Sequence, residues 1–137
     1  MRLHSLAGIV GLSIIASPVL AVDMPLKFDL ACSGINQGIQ DSDGNFTESA
    51  GLPAPTHYRI NMATGRWCEG KCKVVLPVVQ KTGIILLVDE TKLSARSMAF
   101  RWPAKSLIEV TMLPTRLGLS LLSNFQCRLV PFSGLPT

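Results

Sequence analysis

The chain has 137 residues, 47% of them hydrophobic and 16% charged, with a formal net charge of +4. A chain of this length builds one core of modest size, which excludes a multidomain enzyme and a transmembrane bundle. Lys and Arg are scattered from Lys27 to Arg128 rather than massed among aromatics, a pattern of solvated positive charge that speaks against a nucleic-acid partner.

The first elements concern targeting. Arg2 precedes a short apolar stretch, Leu6 to Ala16, which Pro18 breaks before Val19-Leu20-Ala21. This is the layout of a secretory signal peptide spanning 1–21, with cleavage expected between Ala21 and Val22. The stretch is shorter than the roughly 18 to 20 apolar residues of a membrane anchor, and no cysteine follows the cleavage position. The expectation is an exported single domain over 22–137, periplasmic or extracellular, with no membrane span.

From Leu26 onward the period is two. Leu26, Phe28, Leu30 and Cys32 alternate with Lys27, Asp29, Ala31 and Ser33, the pattern of a half-buried strand. The segment 34–55 holds Gly34, Gly38, Gly44, Gly51, Pro53 and Pro55 among polar residues and reads as a long loop. Within it, Asp41-Ser42-Asp43-Gly44-Asn45 resembles the start of a calcium loop. Phe46 and Leu52 stand where such a loop needs glycine and glutamate, so an ordinary polar turn is expected.

Tyr58, Ile60 and Met62 form the next alternation, and Thr64-Gly65 turns the chain into Arg66-Trp67-Cys68. Val74 to Val79 is interrupted by Pro77, which suits an edge strand or a bulge. Ile84 to Val88 reads as a buried strand, Glu90 to Arg96 as at most one helical turn, and Met98, Phe100 and Trp102 as another alternation. Leu107 to Met112, Leu117 to Leu121, and Phe125, Cys127 and Leu129 complete about eight strands. Short strands separated by turn residues predict an all-β fold, a small antiparallel barrel or sandwich.

Four cysteines in an exported chain favour disulfides. Three connectivities are open. Cys32 and Cys127 both fall on the inward face of their strands, first and last in order, so pairing them would close the sheet. Cys68 and Cys72 flank Glu69-Gly70-Lys71, a loop short enough to bridge. Neither pair has zinc-ligand spacing, and no metal or other cofactor is expected.

Catalytic chemistry has little to stand on. His57 is the single histidine after the signal segment and reads as a rim residue; no nucleophile elbow or phosphate loop is present, and Glu69, Asp89, Glu90 and Glu109 lie on separate segments. No catalytic residues are assigned. The candidate binding surface is the hairpin carrying Arg59, Arg66, Trp67, Lys71 and Lys73, where an aromatic lies among cations on a stapled loop.

Gly65-Arg66-Trp67 resembles the Gly-x-Trp element of lipocalins, which in that family lies on the first strand of a longer chain. Phe28-Asp29-Leu30-Ala31-Cys32-Ser33-Gly34 is similar to the opening of small exported bacterial β proteins. Among those are periplasmic inhibitors of C-type lysozyme, small barrels with an early and a late cysteine. That resemblance covers the two ends of the chain, and no Ser-Gly-rich inhibitory loop lies between them, so no functional residue is carried over. Asn61 to Cys68 and Cys127 to Phe132 also resemble uncharacterised exported proteins of Gram-negative bacteria, which implies a location and no activity. The expected function is a non-catalytic envelope protein that binds a macromolecule or protein partner. Alternatives are a lysozyme-inhibitor-like protein, a small-ligand carrier lined by Tyr58, Trp67 and Trp102, and a small hydrolase.

Overall fold

Nine strands account for most of the computed structural model, which describes residues 24–90, 95–112 and 118–137. They are β1 (Lys27–Gln40), β2 (Phe46–Glu48), β3 (Thr56–Asn61), β4 (Arg66–Glu69), β5 (Val75–Thr82), β6 (Ile84–Glu90), β7 (Ala95–Arg101), β8 (Ser106–Met112) and β9 (Ser120–Val130). Every neighbouring pair is antiparallel, and β3 to β9 follow one another in chain order. β9 then returns to β1, from Asp29 opposite Val130 to Gln40 opposite Ser120, and closes an eight-stranded barrel. β2 is an extra strand that pairs with the second half of β1. The signal segment 1–21 lies outside the described residues, which contain no helix.

The closure is the one the cysteine pattern predicts. Cys32 stands directly opposite Cys127 and is bonded to it, and Cys68 is bonded to Cys72. Alternation sends Phe28, Leu30, Ile60, Ile85, Phe100 and Leu107 into the interior, each at most 2% exposed. Full burial of such a side chain is worth roughly 1.5 to 3 kcal/mol, and together they fill one half of the barrel. At Gly83, whose φ of 67° suits glycine, the chain passes from β5 into β6 with a single residue between strands.

Four expectations are corrected. The segment 34–55 is not one long loop: residues 34–40 continue β1 and 46–48 form β2, leaving only 41–45 and 49–55 as connections. Two of its glycines, Gly34 and Gly38, signal close backbone approach. A Cβ on Gly34 would lie 2.4 Å from the Pro53 carbonyl oxygen, and one on Gly38 would lie 2.3 Å from that of Thr47. The segment Glu90 to Arg96 holds no described helical turn; Glu90 ends β6, Ala95 and Arg96 open β7, and 91–94 lie outside the described residues. Of the two settings expected for Pro77, the edge strand is corrected, since β4 and β6 flank β5, and the bulge is found, between Val78 and Gln80. The candidate Leu117 to Leu121 is not a strand of its own: Leu117 lies outside the described residues, residues 118 and 119 are not in a strand, and Ser120 and Leu121 open β9, which runs unbroken through Phe125, Cys127 and Leu129.

Candidate functional site

The interior positions at one end of the barrel are polar. Thr56 and Tyr58 on β3, Glu69 at the end of β4, Arg96 on β7, Glu109 on β8 and Ser123 on β9 face one another above the apolar half. Register dictates the meeting: Tyr58 stands opposite Glu69, Met98 opposite Glu109, and Glu109 opposite Ser123. Thr56 Oγ1 donates to Glu69 Oε1 at 2.9 Å, and the Tyr58 hydroxyl donates to Glu109 Oε2 at 3.5 Å. The Arg96 guanidinium bridges both acids, through Nη2 to Glu69 Oε2 and through Nε to Glu109 Oε2 at 3.3 Å.

Electrostatics follows from this half-buried setting. Burial pushes Tyr58 up from 10 to about 12, aided by the charges of Glu69 and Glu109. Burial also raises the Glu109 carboxyl, with Arg96 pulling the other way. Burial alone would lower Arg96, but its hydrogen bond to Glu69 and the nearby carboxylates outweigh that, and the guanidinium is held above its ordinary value.

A short segment roofs this mouth. Pro53 is buried against Gly34, and with Pro55, Thr56, Glu69, Arg96, Glu109 and Ser123 it lines a recess of about 300 Å³. On the far side of Glu69 lies a second recess of about 310 Å³, bordered by Trp67, Lys71, Lys73, Leu76 and Asp89. Glu69 also borders a larger cleft of about 660 Å³ on the outside of the barrel. One carboxylate thus stands where three concavities meet. Bridged to Arg96, it can exchange that partner for an N–H or cationic group, freeing the guanidinium to take an oxygen acceptor.

On the outer face the side chains of Asp29 and His57 meet. His57 Nε2 lies 2.9 Å from Asp29 Oδ2, and Ser133 Oγ donates to the same oxygen at 2.5 Å. Asp29 is only 1% exposed, and the C-terminal segment that covers it is held a second time where Arg59 Nη1 donates to the Gly134 carbonyl at 3.2 Å. The order of the three groups matters. Ser133 bonds the carboxylate rather than the imidazole, so His57 has no hold on that hydroxyl and the arrangement does not activate it as a nucleophile.

The hairpin singled out from the sequence is dispersed. Trp67 is 1% exposed and donates through Nε1 to the Pro77 carbonyl at 3.2 Å, so it belongs to the core and not to a surface patch. Register with Ile60 on the inward face is the reason. Arg59 is tied to the C-terminal segment, Arg66 is exposed on the outside, and Lys71 and Lys73 reach the rim of the 310 Å³ recess. Among the carrier's expected lining residues, Tyr58 and Trp67 are packed side by side with ring centroids 6.1 Å apart. The calcium-like segment is an ordinary turn in which Asp41 accepts from the backbone of Asp43 and Asn45 and from the Asn45 amide. That amide is the main cause of the lowered Asp41 carboxyl pKa.

Sequence reasoning missed Arg96, Asp29 and Ser133. Arg96 was legible: the alternation of Met98 and Phe100, extended back by one step, places it inside. Asp29 and Ser133 are 104 residues apart, and no local pattern joins them.

No family model, curated protein or solved structure matches this chain. Among the described residues, no cluster of three or more His, Cys, Asp or Glu could hold a metal ion, and no helix is long and apolar enough to cross a membrane.

Proposed function

We propose that this is an exported, non-catalytic binding protein that takes hold of a polar group of an envelope component at the mouth of its barrel. The observation that carries this reading is the Glu69–Arg96–Glu109 bridge, half-buried beneath Pro53 and bordered by open recesses, in a barrel whose other half is packed. Burying charge is expensive, and a barrel end that needed only to be sealed could be filled with apolar side chains like the other half. Packing also argues against a carrier that encloses its ligand, because Tyr58 and Trp67 lie in contact with the core instead of lining an internal chamber. Two disulfides and the signal-like segment 1–21 support export, since such bonds persist in oxidising compartments. Binding rather than turnover is favoured because both mouth carboxylates are engaged by one guanidinium and Ser133 is bonded away from His57.

Backbone amide spectra of the protein, recorded with soluble wall fragments and with periplasmic extract fractions, test the proposal. Binding should perturb Thr56, Glu69, Arg96 and Ser123 first and should be lost in Arg96→Met. Perturbations confined to the opposite, apolar end of the barrel would overturn the reading.

A further inference from the structure

A cleft of about 660 Å³ lies on the outside of the barrel and reaches the mouth's polar residues only at Thr56 and Glu69. Its floor is Ala31 on β1, which stands opposite His57 on β3 and, across its other edge, opposite Arg128 on β9. Three adjacent strands therefore carry an imidazole, a methyl group and a guanidinium in one row on the outer face. With strands about 4.8 Å apart, His57 and Arg128 are rooted roughly 10 Å from each other. Ser33, two positions along β1 and on the same face, adds a hydroxyl at a third corner of the cleft.

Two features distinguish this row from scattered surface charge. The Arg128 side chain makes no hydrogen bond or ion pair with another described residue. His57 is fixed by a carboxylate that the fold buries almost completely, with Oδ1 of Asp29 left without a hydrogen-bond partner. Holding one ring nitrogen on a buried acid orients the other, which is how proteins aim an imidazole at a ligand. Because Nε2 faces Asp29, Nδ1 is the nitrogen that remains for the cleft.

We infer that the cleft between His57 and Arg128 binds the carboxylate group of a ligand. The donor set selects the class. Of the acids at the cleft, Asp29 is buried beneath His57, and Glu69 already has Thr56 on one oxygen and Arg96 on the other, so the Arg128 guanidinium is the charge that meets a ligand. A single guanidinium suits a monoanion better than a phosphate dianion, and its planar fork matches the two oxygens of a carboxylate. A carboxylate bound at Nδ1 would set the imidazole between two acids, which favours the ring with a proton on each nitrogen, so that Nδ1–H donates to the ligand. The small Ala31 side chain leaves room for both contacts.

The test follows the imidazole resonances of His57 while N-acetylglycine is added at constant pH and ionic strength, with N-acetylglycinamide and inorganic phosphate as parallel arms. The acid should give a saturable shift and the amide none. Arg128→Gln, a change at an exposed position that should leave the melting temperature in place, should weaken binding by about tenfold or more. Ala31→Leu, which fills the floor, should do the same. Equal responses to acid and amide, or an Arg128→Gln variant that binds like the parent, would refute the site. Tighter binding of phosphate than of the acid would refute the carboxylate assignment.

Discussion

Replacing Arg96 with methionine isolates the polar mouth, since methionine keeps most of the stem and removes the cation. The side chains of Arg96, Glu69 and Glu109 are 24%, 34% and 18% exposed, so the bridge is partly shielded from water. Removing one partner of a fully buried pair costs about 3 to 5 kcal/mol. Partial exposure lets the abandoned carboxylates recover some hydration, which brings the expected loss at pH 7 to about 2 to 3 kcal/mol. The loss should depend on pH in a defined sense. Burial raises Glu109 above its ordinary 4.5 in the folded state, so the folded protein binds a proton that the unfolded chain has released. Its ionisation therefore costs stability as pH rises upward from 4.5, and Arg96 limits that cost. Without the guanidinium Glu109 rises further, so the share of the deficit that comes from Glu109 should fall away at pH 4, below the ordinary value of that acid, and the total loss should be smaller there than at pH 7. Urea unfolding of parent and variant at the two pH values measures this. An equal loss at both would show that Arg96 acts through packing alone, and the electrostatic account of the mouth would fail.

Tyr58 is the single tyrosine of the chain, so phenolate absorbance reports it alone. The folded protein should titrate with a midpoint near 12 rather than 10, and stability should be retained below pH 10 and fall as pH rises from 10 through 12. A midpoint near 10 in the folded protein would contradict its burial beside Glu109. The two disulfides close loops of very different length, with sequence separations of 95 and 4. In the loop-entropy model, replacing Cys32 and Cys127 together by alanine should cost about 4.7 kcal/mol and replacing Cys68 and Cys72 about 2 kcal/mol, measured by denaturant unfolding. A reversed order would show that native-state contacts of the hairpin outweigh loop closure.

Period-two alternation determined the all-β class, most of the strands and the inward direction of Cys32 and Cys127, because side-chain facing in a strand is a local property. The same rule, carried one step back from Met98, would have put Arg96 inside. Where composition was used in place of periodicity, the reading failed: Gly34 and Gly38 look like loop residues, and only the packing of Pro53 and of the β2 backbone against them shows why a strand needs them there. Trp67 was ambiguous for a related reason. Its neighbours are cations, yet a strand sends adjacent residues to opposite faces, and pairing with Ile60 settled which face Trp67 took. The choice among the three cysteine pairings, the convergence of Glu69, Arg96 and Glu109, and the seating of Ser133 on Asp29 were decided by tertiary structure. Each joins residues from strands far apart in the chain, and strand register, which brings them together, is a property of the whole closed sheet.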